Sequence, residues 1–424
     1  VSFFLRYFES LSLASLRETT MLPMNLQTFK KELETELQSI LQYWIKNAPD
    51  PLLNGFYGRI NENNTPDPRA PKGSVLNARI LWTFSAAYNR NPRPEYLIIA
   101  KRAYDFIRIY FTDKEYGGIY WTVDSKGHPL DTKNQVYAIA FVIYACSEYY
   151  QCKPDESVKK YAVDLYHLIQ QHSYDALRGG YLEAFTREWK PIADLRLSEK
   201  DANEKKTMNT HLHILEAYSN LYRIWSDEHL KKNIEGLCQV FAKYIFNPHT
   251  KHLGLFFDEN WTLKSSAISF GHDIEASWLL CEAAEVTGNK QLLAEMHKLA
   301  VDLAESVHQK GFDTDGGLWY EYDHNTLVKE KHWWPQAEAM VGFFNAWQIA
   351  QHQPYLDRVL ANWQYIKENI IDHQHGEWYW GRYANNQIMP GQDKAGLWKC
   401  PYHNSRACME LIQRIERMEP MQQL

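Results

Sequence analysis

"YGGIYW" (Tyr116–Trp121) decides how the rest of the chain is read, because it is not alone. Similar runs stand at "NGFYGRI" from Asn54, "RGGYLEAF" from Arg178, "HLGLFFDE" from His252, "DGGLWYEY" from Asp315 and "HGEWYWGR" from His375. They recur roughly every 60 to 75 residues, and a fixed period of this length marks a repeated architecture. Each is a short strand-like run bounded by glycine, so each reads as a turn or small hairpin.

Between the runs the apolar pattern is helical. "SVLNARILWTFSAAY" (74–88) places Leu76, Ile80, Leu81, Phe84 and Tyr88 three or four apart, as an amphipathic helix requires. "QVYAIAFVIYACSEYY" (135–150) is apolar nearly all round and predicts a helix buried on most sides. Segments 207–225, 273–287 and 335–350 continue this series. More polar helices alternate with them at 94–111, 156–173, 230–246 and 290–309. Each unit therefore reads as polar helix, glycine-aromatic turn, loop, apolar helix. Six such units predict an all-α ring, an (α/α)6 barrel, with apolar helices inside, polar helices outside and short β-hairpins and loops at one rim. An open solenoid or two helical domains are the alternatives. No Pro/Gly/Ser-rich linker divides the chain, so residues 24–424 are expected to form one catalytic domain and residues 1–23 a non-core extension.

Composition limits the function. Hydrophobic residues are 45% and charged residues 23% of the 424, as in a globular protein. A net charge of -6 and the lack of a basic stripe argue against a nucleic-acid partner. No apolar stretch reaches the length of a membrane span. The six cysteines (Cys146, Cys152, Cys238, Cys281, Cys400, Cys408) form no CxxC pair, which suits a reducing, cytoplasmic setting. Aromatics at 14% fit either a bulky core or a pocket for flat ligands such as sugar rings.

In such a ring the inner helices all start at the rim that carries the glycine-aromatic turns. Helix N-termini offer free N–H groups and partial positive charge, so the site is expected there. Reading those six starts gives Asn77 and Arg79; Gln135 and Tyr137; Asn209, His211 and His213; His272 and Glu275; Trp333, Trp334, Gln336 and Glu338; and Trp398, His403 and Arg406. His211 and His213 point to opposite sides of a helix, so "HLH" is not a metal clamp. Glu275 lies one turn after His272, where it would hold the imidazole tautomer or bind a hydroxyl. With no matching third ligand evident, no metal is expected.

"KTMNTHLHILEAY" (206–218), "GHDIEASWLL" (271–280) and "WKCPYHNSR" (398–406) resemble the cellobiose 2-epimerases of the N-acylglucosamine 2-epimerase superfamily. "NARILWTFSAAY" (77–88) and "KHWWPQAEAM" (331–340) fit the same pattern. The resemblance runs from about residue 25 to 415 and carries an (α/α)6 fold. It implies inversion of C2 in the reducing-end sugar of β-1,4-linked disaccharides, cellobiose to glucosyl-mannose and lactose to epilactose, with no cofactor. The expected partner is a small sugar, and the chain is expected to act as a monomer. Residue by residue, the resemblance makes His272 and His403 the acid/base pair and His213 an aid to ring opening. It puts Arg79 beside the C1 and C2 oxygens, Asn209, Tyr137 and Glu275 on hydroxyls, and Trp334 and Trp398 on sugar faces. Asp201 falls in a loop over the mouth, near the non-reducing sugar. Two histidines acting in opposite protonation states would give a bell-shaped pH profile. Other members of the superfamily epimerise or isomerise mannose and glucose. A rival of another class is a glycoside hydrolase, which needs two carboxylates flanking the bond, here from Asp201, Glu275 and Glu338.

Overall fold

The computed structural model describes residues 24–418; the expected extension 1–23 lies outside the described residues. Twelve helices occur among the described residues, in alternating outer and inner positions. They are α1 (Met24–Asn47), α2 (Ser74–Arg90), α3 (Pro94–Phe106), α4 (Val136–Cys152), α5 (Glu156–His172), α6 (Met208–Ile224), α7 (Glu228–Val240), α8 (Phe270–Thr287), α9 (Lys290–Lys310), α10 (Trp333–Ala350), α11 (Gln353–Tyr365) and α12 (Tyr402–Met418). The even-numbered helices pack each on the next, and α12 closes back on α2. The odd-numbered helices cover them, α1 lying on α12 and α3 on α2. This is the (α/α)6 ring that the period predicts. No helix among the described residues is long and apolar enough to cross a membrane.

Local chemistry explains the boundaries. Asp155, Asp227 and Asn289 each accept a backbone N–H at the start of an outer helix (α5, α7 and α9), and α8 ends on Gly288 at φ 69°. The helix α4, apolar all round, is buried from Val136 to Ser147. Two sequence expectations shift. Segments 94–111 and 230–246 are not uniform helices, because α3 and α7 each run on into a five-residue π turn, Ile107–Phe111 and Phe241–Ile245. The start of α8 lies three residues before position 273, because Ser269 supplies the cap. Helix α12 begins at Tyr402, and Asn404 in its first turn donates through Nδ2 to Glu377 at 2.7 Å.

The glycine-aromatic runs join each outer helix to the rim. In each unit the turn closes with an antiparallel bridge, such as Pro49 with Phe56, Thr112 with Ile119 and Ile371 with Trp378. An Asp or Asn precedes every run: Asp50, Asp113, Asp175, Asn247, Asp313 and Asp372. Side-chain oxygens of Asp50, Asp113, Asp175, Asn247 and Asp372 accept backbone N–H groups two and three residues on, which fixes the turn. The second oxygen of each Asp then takes a cation from the following rim segment. Lys72 reaches Asp50 at 2.9 Å, Arg187 reaches Asp113 at 2.6 Å, and Lys206 reaches Asp175 at 2.9 Å. Lys331 reaches Asp313 at 2.7 Å and Lys394 reaches Asp372 at 2.8 Å. The four lysines are fully buried. Asn247 carries no charge, and there His252 bridges Asp273 (2.7 Å) and Ser306 (2.9 Å) instead.

Glycine is required where the turn meets the ring. Gly180 has φ 77°, and a Cβ there would lie 2.6 Å from Nε2 of His211.

Removing one partner of a buried pair leaves the other charge uncompensated, at a loss of about 3–5 kcal/mol. Asp50→Ala should therefore lose stability of that order in chemical denaturation. Asp50→Asn keeps the turn acceptor, as Asn247 does naturally, and should lose distinctly less. Equal losses would show that the ion pair with Lys72 accounts for the whole effect and the turn acceptor for none of it.

Candidate functional site

The inner-helix starts converge on a cavity of about 290 Å³. The ten residues expected to act on or bind the sugar all line it: Arg79, Tyr137, Asp201, Asn209, His213, His272, Glu275, Trp334, Trp398 and His403; Asn77, Gln135, His211, Gln336, Glu338 and Arg406, also read at helix starts, do not. Arg79 projects from α2, Tyr137 from α4, Asn209 and His213 from α6, His272 and Glu275 from α8, Trp334 from α10 and His403 from α12. Asp201 and Trp398 come from loops. A second cavity of about 460 Å³ adjoins the first and shares Leu197, Lys200, Asp201, Asn209, His272 and Tyr320 with it.

Arg79 is buried without a carboxylate partner among the described residues. Its Nη2 donates to the Tyr137 hydroxyl at 2.8 Å and its Nη1 faces Cys400 Sγ at 3.8 Å. Its guanidinium lies over Phe141 (4.3 Å) and Tyr402 (5.0 Å). A desolvated cation with aromatic and neutral neighbours is a strong site for developing negative charge. Asn209 Oδ1 also has no hydrogen-bond partner among the described residues.

Burial pushes the three cavity histidines expected from the sequence down: His272 to about 3, His403 well below its ordinary value of 6.5, and His213 in the same direction. All three imidazoles are therefore neutral at neutral pH, and opposite protonation states are not built into the empty site. What differs is the partner of Nδ1. His403 Nδ1 faces Glu338 Oε1 at 2.7 Å, and His213 Nδ1 faces Glu216 Oε2 at 2.9 Å. A carboxylate only accepts, so both histidines carry the proton on Nδ1 and keep a free lone pair on Nε2. His272 Nδ1 instead meets Ser269 Oγ at 2.7 Å. Glu275 does not hold His272, as the spacing suggested; its Oε1 is bound by Arg406 at 2.7 Å and lies 3.9 Å from His403. The indole of Trp334 lies close to both rings, 4.7 Å from His272 and 5.7 Å from His403. Gly271 permits this approach, since a Cβ there would lie 2.6 Å from Trp334.

Beneath the histidines sits Arg406. Its Nη1 donates to Glu216, and its Nη2 donates to Glu275 at 2.7 Å and Glu338 at 2.6 Å. The Tyr402 hydroxyl also donates to Glu216. Burial alone would raise the Glu216 carboxyl, but Arg406 and His213 hold it below the usual carboxylate range. Glu275 is pushed up by burial and by Glu338. Glu275, Glu338 and His403 are near enough together to share a metal ion. This differs from the His272–Glu275 fragment weighed from the sequence, and the Arg406 guanidinium already bridges its two carboxylates. The same bridge removes Glu275 and Glu338 as carboxylates facing each other across a glycosidic bond, since both converge on one Nη2 atom.

His211 has a structural place. Its Nδ1 bonds the Thr207 carbonyl at 2.7 Å and its Nε2 accepts from the Tyr181 N–H at 2.8 Å. Sequence reasoning missed Glu216, although its i+3 spacing from His213 repeats that of Glu275 from His272. It also missed Ser269, whose signal is a serine three residues before a helical histidine. Tyr320 and Trp380, from the fifth and sixth glycine-aromatic runs, line the cavity as well.

Residues 55–407 match the sequence model of the family described as N-acylglucosamine 2-epimerase (GlcNAc 2-epimerase). The chain is 47% identical over 389 residues to a cellobiose 2-epimerase of Bacteroides fragilis, covering 91% of this chain and 99% of that one. It is 39% identical over 394 residues to a cellobiose 2-epimerase of Dictyoglomus turgidum, covering 92% and 100%. Its fold superposes on the solved cellobiose 2-epimerase of Bacillus thermoamylovorans B4167 with a TM-score of 0.88 at 41% identity, covering 92% and 100%. The chain belongs to the N-acylglucosamine 2-epimerase family, and within it resembles the cellobiose 2-epimerases.

Proposed function

We propose that this enzyme inverts C2 of the reducing-end sugar of β-1,4-linked disaccharides such as cellobiose and lactose. The observation that carries the reading is a pair of neutral imidazoles held in different environments around one cavity, beside a buried arginine with no counterion. The pyranose must first open, which exposes a C1 aldehyde and acidifies the C2 proton. His213, with a free Nε2 lone pair, assists that opening. His403 Nε2 removes the C2 proton, and the imidazolium formed is stabilised by Glu338 and Glu275. Arg79 holds the enediolate oxygens, since its charge is committed to no carboxylate. His272 returns a proton on the other face. Trp334 and Trp398 stack on the sugar, Asn209, Tyr137 and Glu275 bind its hydroxyls, and Asp201 at the shared wall of the two cavities meets the non-reducing sugar. The same enediolate protonated at C1 gives a ketose as a side product. In this reading the chain acts as a monomer. The six unpaired cysteines suit a cytoplasmic setting.

Incubation of cellobiose in D2O tests the reading. Deuterium should appear at C2 of the product with the glycosidic bond intact; release of monosaccharides alone would overturn it. His272→Ala and His403→Ala should each lose C2 inversion by about 10²–10⁴-fold, the usual range for a general acid or base. Near-normal turnover in either variant would refute that residue's role.

Burial favours the neutral imidazoles, and a depressed pKa means the base stays unprotonated as pH falls below its ordinary 6.5. The acid limb of kcat/KM should therefore lie below pH 6.5. A limb at or above that value would contradict the buried, neutral base. With Arg406 bridging the two carboxylates, prolonged treatment with a chelator should leave the rate unchanged, and loss of activity restored by a divalent cation would displace the arginine from this role.

A further inference from the structure

Two neutral histidines supply a base but no ready acid. A neutral imidazole that gives up its Nε2 proton becomes an imidazolate unless Nδ1 gains a proton in the same step. His403 avoids this difficulty, because it accepts a proton and becomes an imidazolium beside Glu338 and Glu275. His272 has no carboxylate hydrogen-bonded to its ring among the described residues; the only hydrogen-bond partner of its Nδ1 is Ser269 Oγ, at 2.7 Å. That oxygen also accepts, at 3.5 Å, from the backbone N–H of His272. The hydroxyl proton has no other acceptor among the described residues; given to Nδ1, it leaves the ring proton on Nε2.

Ser269 is also placed to be recharged. It lines the second cavity, and it pairs directly with Glu321 across two antiparallel strands, so the two side chains lie on the same face of the ladder. Glu321 and Glu183 both line that cavity, and burial pushes both carboxyls up to about 7, so each holds a proton part of the time at neutral pH.

We infer that Ser269 is a positioning residue that sets His272 as the proton donor and links it to the second cavity. This rests on the acid–base roles proposed above. In the step, the His272 Nε2–H bond breaks as the enediolate electron pair forms the new C2–H bond. The Ser269 hydroxyl proton moves to Nδ1, so the ring stays neutral. An acid of the second cavity, a protonated carboxyl in exchange with water, returns a proton to Ser269 Oγ. One solvent proton enters on this side, and the original C2 proton leaves to solvent from His403.

The test uses the full chain carrying Ser269→Ala and, as the conservative variant, Ser269→Thr. In ¹⁵N-histidine-labelled protein without substrate, Ser269→Ala should shift the His272 ring nitrogens away from the Nε2–H pattern, and Ser269→Thr should keep it. With both C2 epimers of the disaccharide in D2O, Ser269→Ala should lose inversion by about 10²-fold. The epimer whose C2–H faces His403 should still gain deuterium without inverting, and Ser269→Thr should restore inversion. A loss of stability alone would lower exchange and inversion together. That result, an unchanged tautomer, or undiminished inversion overturns the inference. If the unaltered enzyme neither exchanges nor inverts, the proposed function fails instead, and the ¹⁵N measurement still decides the tautomer.

Discussion

The structure depends most on one buried guanidinium. Arg406, on α12, donates to Glu216 on α6, Glu275 on α8 and Glu338 on α10, and stacks over Trp278 at 4.8 Å. Four of the six inner helices are thus registered by a single side chain. Buried ion pairs are poor sources of net stability, because desolvation offsets the attraction, but they penalise every arrangement that separates them. Here the penalty enforces a particular rotation of each helix about its own axis. Two of the three carboxylates pass the constraint on, Glu216 to His213 and Glu338 to His403. The contact that registers these four helices is also the one that aims two of the imidazoles, His213 and His403.

The rim is fixed by a second set of charges with a different logic. After four of the outer helices an Asp (Asp50, Asp113, Asp175 and Asp372) uses one oxygen to fold its own turn and the other to hold a cation from a following rim segment, and Asp313 likewise holds Lys331. Lys72 and Lys206 stand two residues before α2 and α6, and Lys331 two before α10, so these inner helices are anchored just upstream of their first turn. The ammonium groups also cap backbone carbonyls, as Lys72 does for Asn54 at 2.8 Å and Lys394 for Gly376 at 2.8 Å. In the fourth unit, where Asn247 cannot pair, the His252–Asp273–Ser306 chain fills the same place. It has the order of a hydrolytic triad, yet all three side chains are buried and Ser306 also bonds the Thr250 carbonyl at 3.3 Å. In this setting it braces the rim.

What could be read from sequence follows from the range of the forces involved. Helix and turn signals are local, so the period, the alternation of polar and apolar helices and the opposite faces of His211 and His213 were legible. Placing six helix starts round one cavity needed only ring closure, and that was enough to gather Arg79, His213, His272 and His403. Partners far apart in the chain were not legible. Glu216 meets Arg406 190 residues later, and Asp113 meets Arg187 74 residues later. The aspartates before the glycine-aromatic runs were visible as letters, but their meaning lies in lysines buried elsewhere. The expectation that Glu275 orients His272 failed for the same reason: i+3 spacing made it a candidate, and a distant arginine claimed it.

The two arginines of the site show how the fold divides its charge. Arg406 meets three carboxylates and is spent on structure. Arg79, which lines the cavity, meets none among the described residues, so no carboxylate there neutralises its field. Three neutral imidazoles around it add hydrogen-bonding capacity without adding charge. An enediolate forming there gains a counterion that the open-chain aldehyde, being neutral, cannot use to the same degree. That difference between ground state and transition state is what accelerates a reaction. A carboxylate placed beside Arg79 would stabilise the folded enzyme and remove this discrimination, which gives a physical reason for leaving a buried cation unpaired.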